Sequence, residues 1–128
     1  FDMAVKENAI KEDGFDATDL TVYVSCNRRA GTSIKVYYKI LSQFDATTFA
    51  NRPWQLMAET TNVITVSGSD NASDYLELQF DPAGANTNYT TNSVVYNSFK
   101  VFAVKIVMNS ATTSTVPLLK DLRVIALA

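Results

Sequence analysis

Histidine is absent from these 128 residues, and cysteine occurs once. Without an imidazole there is no Ser-His-Asp or Cys-His general base, so both families of nucleophilic catalysis are excluded. One cysteine and no histidine cannot fill a tetrahedral zinc shell, and a disulfide within the chain is impossible. Cysteine usage therefore says nothing of redox compartment. Cys26 continues a strand-like run and reads as a small packed hydrophobe rather than a reactive thiol. Long apolar runs are missing too: none approaches the ~20 residues needed to span a bilayer. Nor is there an excess of either charge. Eleven basic residues against thirteen acidic give a net charge of -2, and only Arg28 and Arg29 are adjacent. That balance offers no field for nucleic acid or an anionic membrane surface.

What is present is alternation of apolar and polar residues with period two. Leu20, Val22 and Val24 alternate with Thr21, Tyr23 and Ser25, and Ile34, Val36, Tyr38 and Ile40 alternate with Lys35, Tyr37 and Lys39. Between these runs lies a turn with Gly31, so the pair is expected to form a hairpin. The alternation lapses over Ser42–Pro53, where Asp45 is placed to cap a helical turn. It resumes at Trp54–Met57, at Val63–Val66 and at Leu76, Leu78 and Phe80, the last stopped by Asp81-Pro82-Ala83-Gly84. Residues 85–93, rich in Asn and Thr, predict a long exposed loop. Phe102, Val104, Ile106 and Met108 mark the strongest strand, and Leu122, Val124 and Ala126 face inward on the last. Seven or eight strands without an amphipathic helix predict an all-β fold. The expected architecture is an antiparallel two-sheet β-sandwich of jelly-roll or Greek-key type, filling residues 1–128 as a single domain. Opening at Phe1 rather than Met, the chain is expected to be a C-terminal part of a longer protein.

Five residues are candidates for ligand binding. Trp54, the only tryptophan, follows Pro53 beside a loop and could stack on a sugar face. It shares its phase with the apolar Leu56, however, which favours a place at one end of the core. Tyr89 and Tyr96, with Asn86 and Asn88, have the chemistry of an adaptable recognition surface; the plainer reading is a connecting loop whose tyrosines fold back on the sheet. Asp13, Asp16 and Asp19 near Gly14 lack the bidentate Glu of an EF-hand loop, and they read as solvated turn carboxylates, as do Asp70 and Asp74. No metal, cofactor or pair of catalytic carboxylates is expected. Asn71-Ala72-Ser73 and Asn88-Tyr89-Thr90 match the N-glycosylation pattern, which such a composition produces by chance. Lys35, Lys39, Lys100 and Lys105 read as residues that keep an outer face soluble.

Three segments carry a resemblance: DLTVYVSCNRRAGTSIKVYYKIL (Asp19–Leu41), PWQLM (Pro53–Met57) and FAVKIVMNSATTSTVPLLKDLRVIALA (Phe102–Ala128). Together they resemble β-sandwich domains of tailed-bacteriophage virion proteins, of the T4-like and cyanophage baseplate and tail-fibre type. The closing strand, Ser/Thr turn, Val-Pro and Lys-Asp-Leu-Arg-Val form the most specific part. The resemblance implies a non-enzymatic structural or attachment module located in the virion, at the phage tail. It also implies contacts with other virion subunits, formation of a homo-oligomer, or display of loops to a host-surface glycan. The competing expectation is a carbohydrate-binding module acting through exposed aromatics.

Overall fold

The computed structural model describes residues 2–9, 16–28, 31–60, 75–110 and 118–127. The chain is all-β. Its strands are β1 (Asp2–Ala9), β2 (Asp19–Asn27), β3 (Thr32–Leu41), β4 (Gln55–Glu59), β5 (Leu76–Pro82), β6 (Tyr89–Thr91), β7 (Val94–Tyr96), β8 (Val101–Ser110) and β9 (Leu118–Leu127). Seven of them form one antiparallel sheet in the order β1-β8-β3-β4-β5-β2-β9, while β6 and β7 pair with each other as a small hairpin. The expected run at Val63–Val66, the carboxylates Asp13, Asp70 and Asp74 and the Asn71-Ala72-Ser73 pattern lie outside the described residues.

Burial follows the alternation closely. Val22, Val24, Val36, Leu78, Val104 and Ile106 are completely buried, and with Ile34, Ile40, Phe80, Phe102 and Met108 they form one core. Phe99 and Phe102 meet edge to face inside it, 6.0 Å between centroids. Strands from both halves of the sheet order, β8 and β3 on one side and β5 and β2 on the other, feed this single core, so the sheet curls on itself. The corner is β4: Gln55 and Leu56 pair with β3, whereas Met57, Ala58 and Glu59 pair with β5.

The expected hairpin between the runs at 20–24 and 34–40 does not form. β2 pairs with β5 and β9, and β3 with β4 and β8. Period-two alternation tells which face of a strand is apolar, but not which strand lies beside it. β3 finds ten register partners on β8, and β2 nine on β9.

Two further local expectations shift. The helical turn in 42–53 is a 3-10 turn at Phe49–Asn51, preceded by Thr48 without a side-chain cap. Asp45 instead accepts the Thr47 N–H at 2.9 Å, closing its own Asx turn. On β4 the buried residue is Met57, and Leu56 is exposed. Two adjacent apolar residues leave the phase undetermined in sequence. Pairing decides it, because Leu56 stands opposite the outward Tyr37.

β9 carries one irregularity that matters later. Ser25 pairs with Asp121 but Cys26 with Leu119, so Lys120 is an extra residue on β9. This bulge lets Leu119 and Leu122, three apart in sequence, both pack against the core.

Candidate functional site

Trp54 lies outside the core cluster, on the outer side of the β3–β8 pair. Lys39 and Lys105 are outward positions there, and their ammonium groups sit 5.0 Å and 4.6 Å from the indole. Lys39 also lies 4.6 Å from the Phe49 ring, and Lys105 is 5.1 Å from Tyr37. Cation–π attraction explains why the 49–54 segment folds down over this face. Lys39 is thereby buried and Ala103 beside it sealed, so the expectation that Lys39 keeps the face soluble does not hold. Its alkyl stem and charge are used to seat two aromatic rings. Trp54 keeps a half-buried position next to the exposed Leu56.

Tyr89 is buried, and its functional groups are occupied. Its hydroxyl donates to Asp45 Oδ2 at 2.8 Å and accepts the Ser42 N–H at 2.8 Å. One ring contact is the Arg52 guanidinium, 3.8 Å away; another is Tyr96, with centroids 5.2 Å apart. Arg52 donates through Nε to the Ile40 carbonyl at 2.9 Å. Burial pushes the Asp45 carboxyl up, but hydrogen bonds from Thr47 and Tyr89 and the charge of Arg52 outweigh it, and the net direction is down. Burial raises the Tyr89 phenol, and the neighbouring Asp45 carboxylate adds to this against Ser42 and Arg52. Chemically this is a clamp. It fastens the 42–53 loop and the β6–β7 hairpin to the end of β3.

Asn86 and Asn88 are exposed and largely serve one another: Asn86 Oδ1 accepts the Asn88 N–H at 3.1 Å, and Asn86 Nδ2 donates to the Gly84 carbonyl at 3.2 Å. Between them Thr87 is buried and donates to the Thr18 carbonyl at 2.8 Å, which holds the expected loop against the sheet. Among the described residues no hydrogen bond or ring contact joins Trp54 to Tyr89, Tyr96, Asn86 or Asn88. The structure brings the two tyrosines together and leaves Trp54 in a separate place.

The other polar clusters are also tied up within the fold. Asp16 accepts Gln43 Nε2 at 2.8 Å and Ser98 Oγ at 3.2 Å, with Lys100 at 3.7 Å. Asp81 accepts Thr21 Oγ1 at 2.8 Å on one oxygen, and on the other Thr60 Oγ1 at 2.7 Å and Gln79 Nε2 at 3.0 Å. A groove of about 430 Å³ opens beside it, lined by Asp19, Ala58, Thr60, Asp81, Pro82 and Gly84. Among the described residues no cluster of three His, Cys, Asp or Glu could hold a metal ion. Arg28 and Glu59 form a two-bonded ion pair at 2.6 and 3.1 Å. Burial pushes the nearby Cys26 thiol up to about 11, against Arg28 and with Glu59, which makes it a packed side chain and a poor nucleophile.

One surface stands apart. β9 has β2 on one side and, among the described residues, no strand on the other. Leu119, Leu122, Val124 and Ala126 are only half-buried, while Ile125 and Leu127 on the opposite face are exposed. The signal was present in the sequence: Val124-Ile125-Ala126-Leu127 is apolar on both faces, which a strand with one solvated face does not need. No family model, no curated protein and no solved structure matches the chain.

Proposed function

We propose that this domain is a non-enzymatic structural or attachment module of a tailed-phage virion, belonging to a tail, baseplate or fibre protein. The resemblance in Asp19–Leu41, Pro53–Met57 and Phe102–Ala128 supplies the virion context. The observation that carries the reading is β9, a ten-residue edge strand, apolar on both faces over its last turns of chain. Monomeric proteins blunt long apolar edges, whereas subunits of assemblies use them as contact surfaces. The loop carboxylates Asp16 and Asp45 fit the same reading, since each is spent on holding a loop in place.

We read the curled sheet as a two-layer antiparallel sandwich of jelly-roll type. In favour of it, the late strand β8 inserts between β1 and β3, and β9 returns beside β2. Immunogold electron microscopy, with antibody raised against the domain and particles of the phage that encodes it, tests the assignment. Gold at the tail is expected. Absence of label from intact and disrupted particles overturns the reading.

A second reading rests on Trp54. The partly exposed indole, with Lys105 against it and Tyr37 near the same ammonium, gives a glycan-binding module a place to stack a sugar. A glycan array with wild type and Trp54→Ala decides it: binding lost in the variant supports the reading, and binding by neither protein removes it for the sugars tested.

A further inference from the structure

We infer that β9 pairs antiparallel with β9 of a second copy of this chain across a two-fold axis centred on Val124, which continues the sheet through the dimer. The inference rests on the module reading above and names its first partner. It follows from the direction of the backbone groups along the edge of β9 that, among the described residues, has no partner strand.

The direction can be traced from one bond. The Thr60 N–H donates to the Gln79 carbonyl at 2.8 Å, one step beyond the pair Glu59 and Phe80, so residues 60 and 79 form a hydrogen-bonded pair. Such pairs alternate along an antiparallel ladder, and the N–H and C=O of one residue point the same way. Gln79 and Asp81 therefore face β4, while Leu78 and Phe80 face β2. Val24 and Val22, opposite these, face β5, which leaves Tyr23 and Thr21 facing β9. Arg123 and Ile125 stand opposite Tyr23 and Thr21 and face back towards β2. Leu122, Val124 and Ala126 then turn their N–H and C=O outward along the edge.

The regular part of β9 runs from Asp121, just after the bulge at Lys120, to Leu127. Its midpoint is Val124, one of the residues whose backbone faces out. A two-fold axis there makes Val124 a hydrogen-bonded pair with its own copy, and sets Leu122 against the copy's Ala126. Large faces small and medium faces medium on the inner side, where these residues are half-buried. On the outer side the exposed Ile125 meets the alkyl stem of the copy's Arg123, whose charge is held by Glu77. Asp121 falls opposite Leu127, so no like charges stand directly opposed.

The other edge is a poorer match. β1 carries Asp2, Lys6 and Glu7 among eight residues, and a head-to-tail contact between β9 and β1 would set apolar positions against these. It would also propagate without closing, whereas the two-fold pairing closes.

Sedimentation velocity from about 10 to 500 µM suits an interface this small, comparing wild type, Ile125→Lys and Ala126→Pro. Wild type is expected to show a monomer–dimer equilibrium. Ile125→Lys changes an exposed residue and brings a charge opposite Arg123, so the dissociation constant should rise at least about ten-fold. Ala126→Pro deletes an N–H that faces the free edge and takes no bond from β2, so it should abolish the dimer with the monomer still folded by circular dichroism. A wild type that stays monomeric throughout, or a dimer unchanged in Ile125→Lys, overturns the inference. Tail labelling by gold with a monomeric chain would sink the dimer and leave the module reading standing; a dimer without tail labelling would do the reverse.

Discussion

β8 and β9 are ten-residue strands of similar apolar content, yet they behave as different materials. β8 lies between β1 and β3, and its inward residues Phe102, Val104, Ile106 and Met108 are 0–6% exposed. Among the described residues β9 has one neighbouring strand, its inward residues are half-buried, and Ile125 and Leu127 face solvent at 38% and 54%. Position in the sheet, not composition, makes the difference: a second flanking strand removes water from both sides of a residue, and an edge removes it from one. The largest effect should therefore come from truncation on β8. Ile106→Ala is expected to cost about 3–4 kcal/mol, as loss of a completely buried branched side chain does. Leu122→Ala on β9 should cost less, about 1–2 kcal/mol, since this leucine is only partly buried. Urea unfolding of both variants at micromolar concentration measures the contrast. Equal costs would mean that β9 is covered after all.

Cys26 sharpens the comparison from the inner side of the β9 layer, because it pairs with Leu119 beside the bulge. If water entered along that edge, the thiol would titrate and react as an ordinary one. Its value of about 11 against an ordinary 9.0 means that the unfolded chain releases this proton first as pH rises. Stability contributed by the protonated thiol is whole below pH 9 and is lost as pH climbs through 11. The loss is on the order of 2–3 kcal/mol. Urea titrations across that window should show a shallower decline for Cys26→Ala than for wild type. The native thiol should also resist a disulfide reagent until the protein unfolds.

Much of the fold was legible in the sequence, because burial on one face forces period two. The inward sets on β2, β3, β5, β8 and β9 could all be read from it. Neighbours were not legible. Nothing in Leu20–Val24 or Ile34–Ile40 reveals that the two strands part company, since pairing depends on ladders to residues sixty or more positions away. The clamp of Asp45, Arg52 and Tyr89 was hidden for the same reason: Tyr89 stands 44 residues from its hydrogen-bond partner Asp45. In sequence the phase shared with Leu56 points Trp54 towards the core, whereas Tyr37 across the ladder fixes that phase outward. Two signals lie in the β9 sequence itself. Leu119 and Leu122 are spaced three apart, the mark of a bulge, and Ile125 and Leu127 make the strand apolar on its second face.

The clamp contrasts with the bare edge by closing the far end of β3 with polar groups. Tyr89→Phe removes the donor to Asp45 and the acceptor for the Ser42 N–H, both buried, at a cost of about 1–2 kcal/mol. It also removes one cause of the lowered Asp45 value. Stability from ionised Asp45 is present above the ordinary carboxylate value of 3.8 and is lost as pH falls through the lower folded value. The acid unfolding midpoint of Tyr89→Phe should accordingly move to higher pH, as followed by tryptophan fluorescence.

The smallest effect belongs to the outer face of β9. Arg123 bonds to Glu77 and lies 4.8 Å from the Tyr23 ring, yet both members of the ion pair are about half exposed. Water screens such a pair, so Arg123→Ala should change stability by less than about 0.5 kcal/mol in dilute solution. The same substitution measured at several hundred micromolar asks a different question, since the Arg123 stem is what Ile125 of the second copy packs against. A variant neutral when dilute but costly when concentrated would locate the worth of this residue in the pairing of two edges. One that is costly at every concentration would mean that Arg123 holds the edge strand down within a single chain.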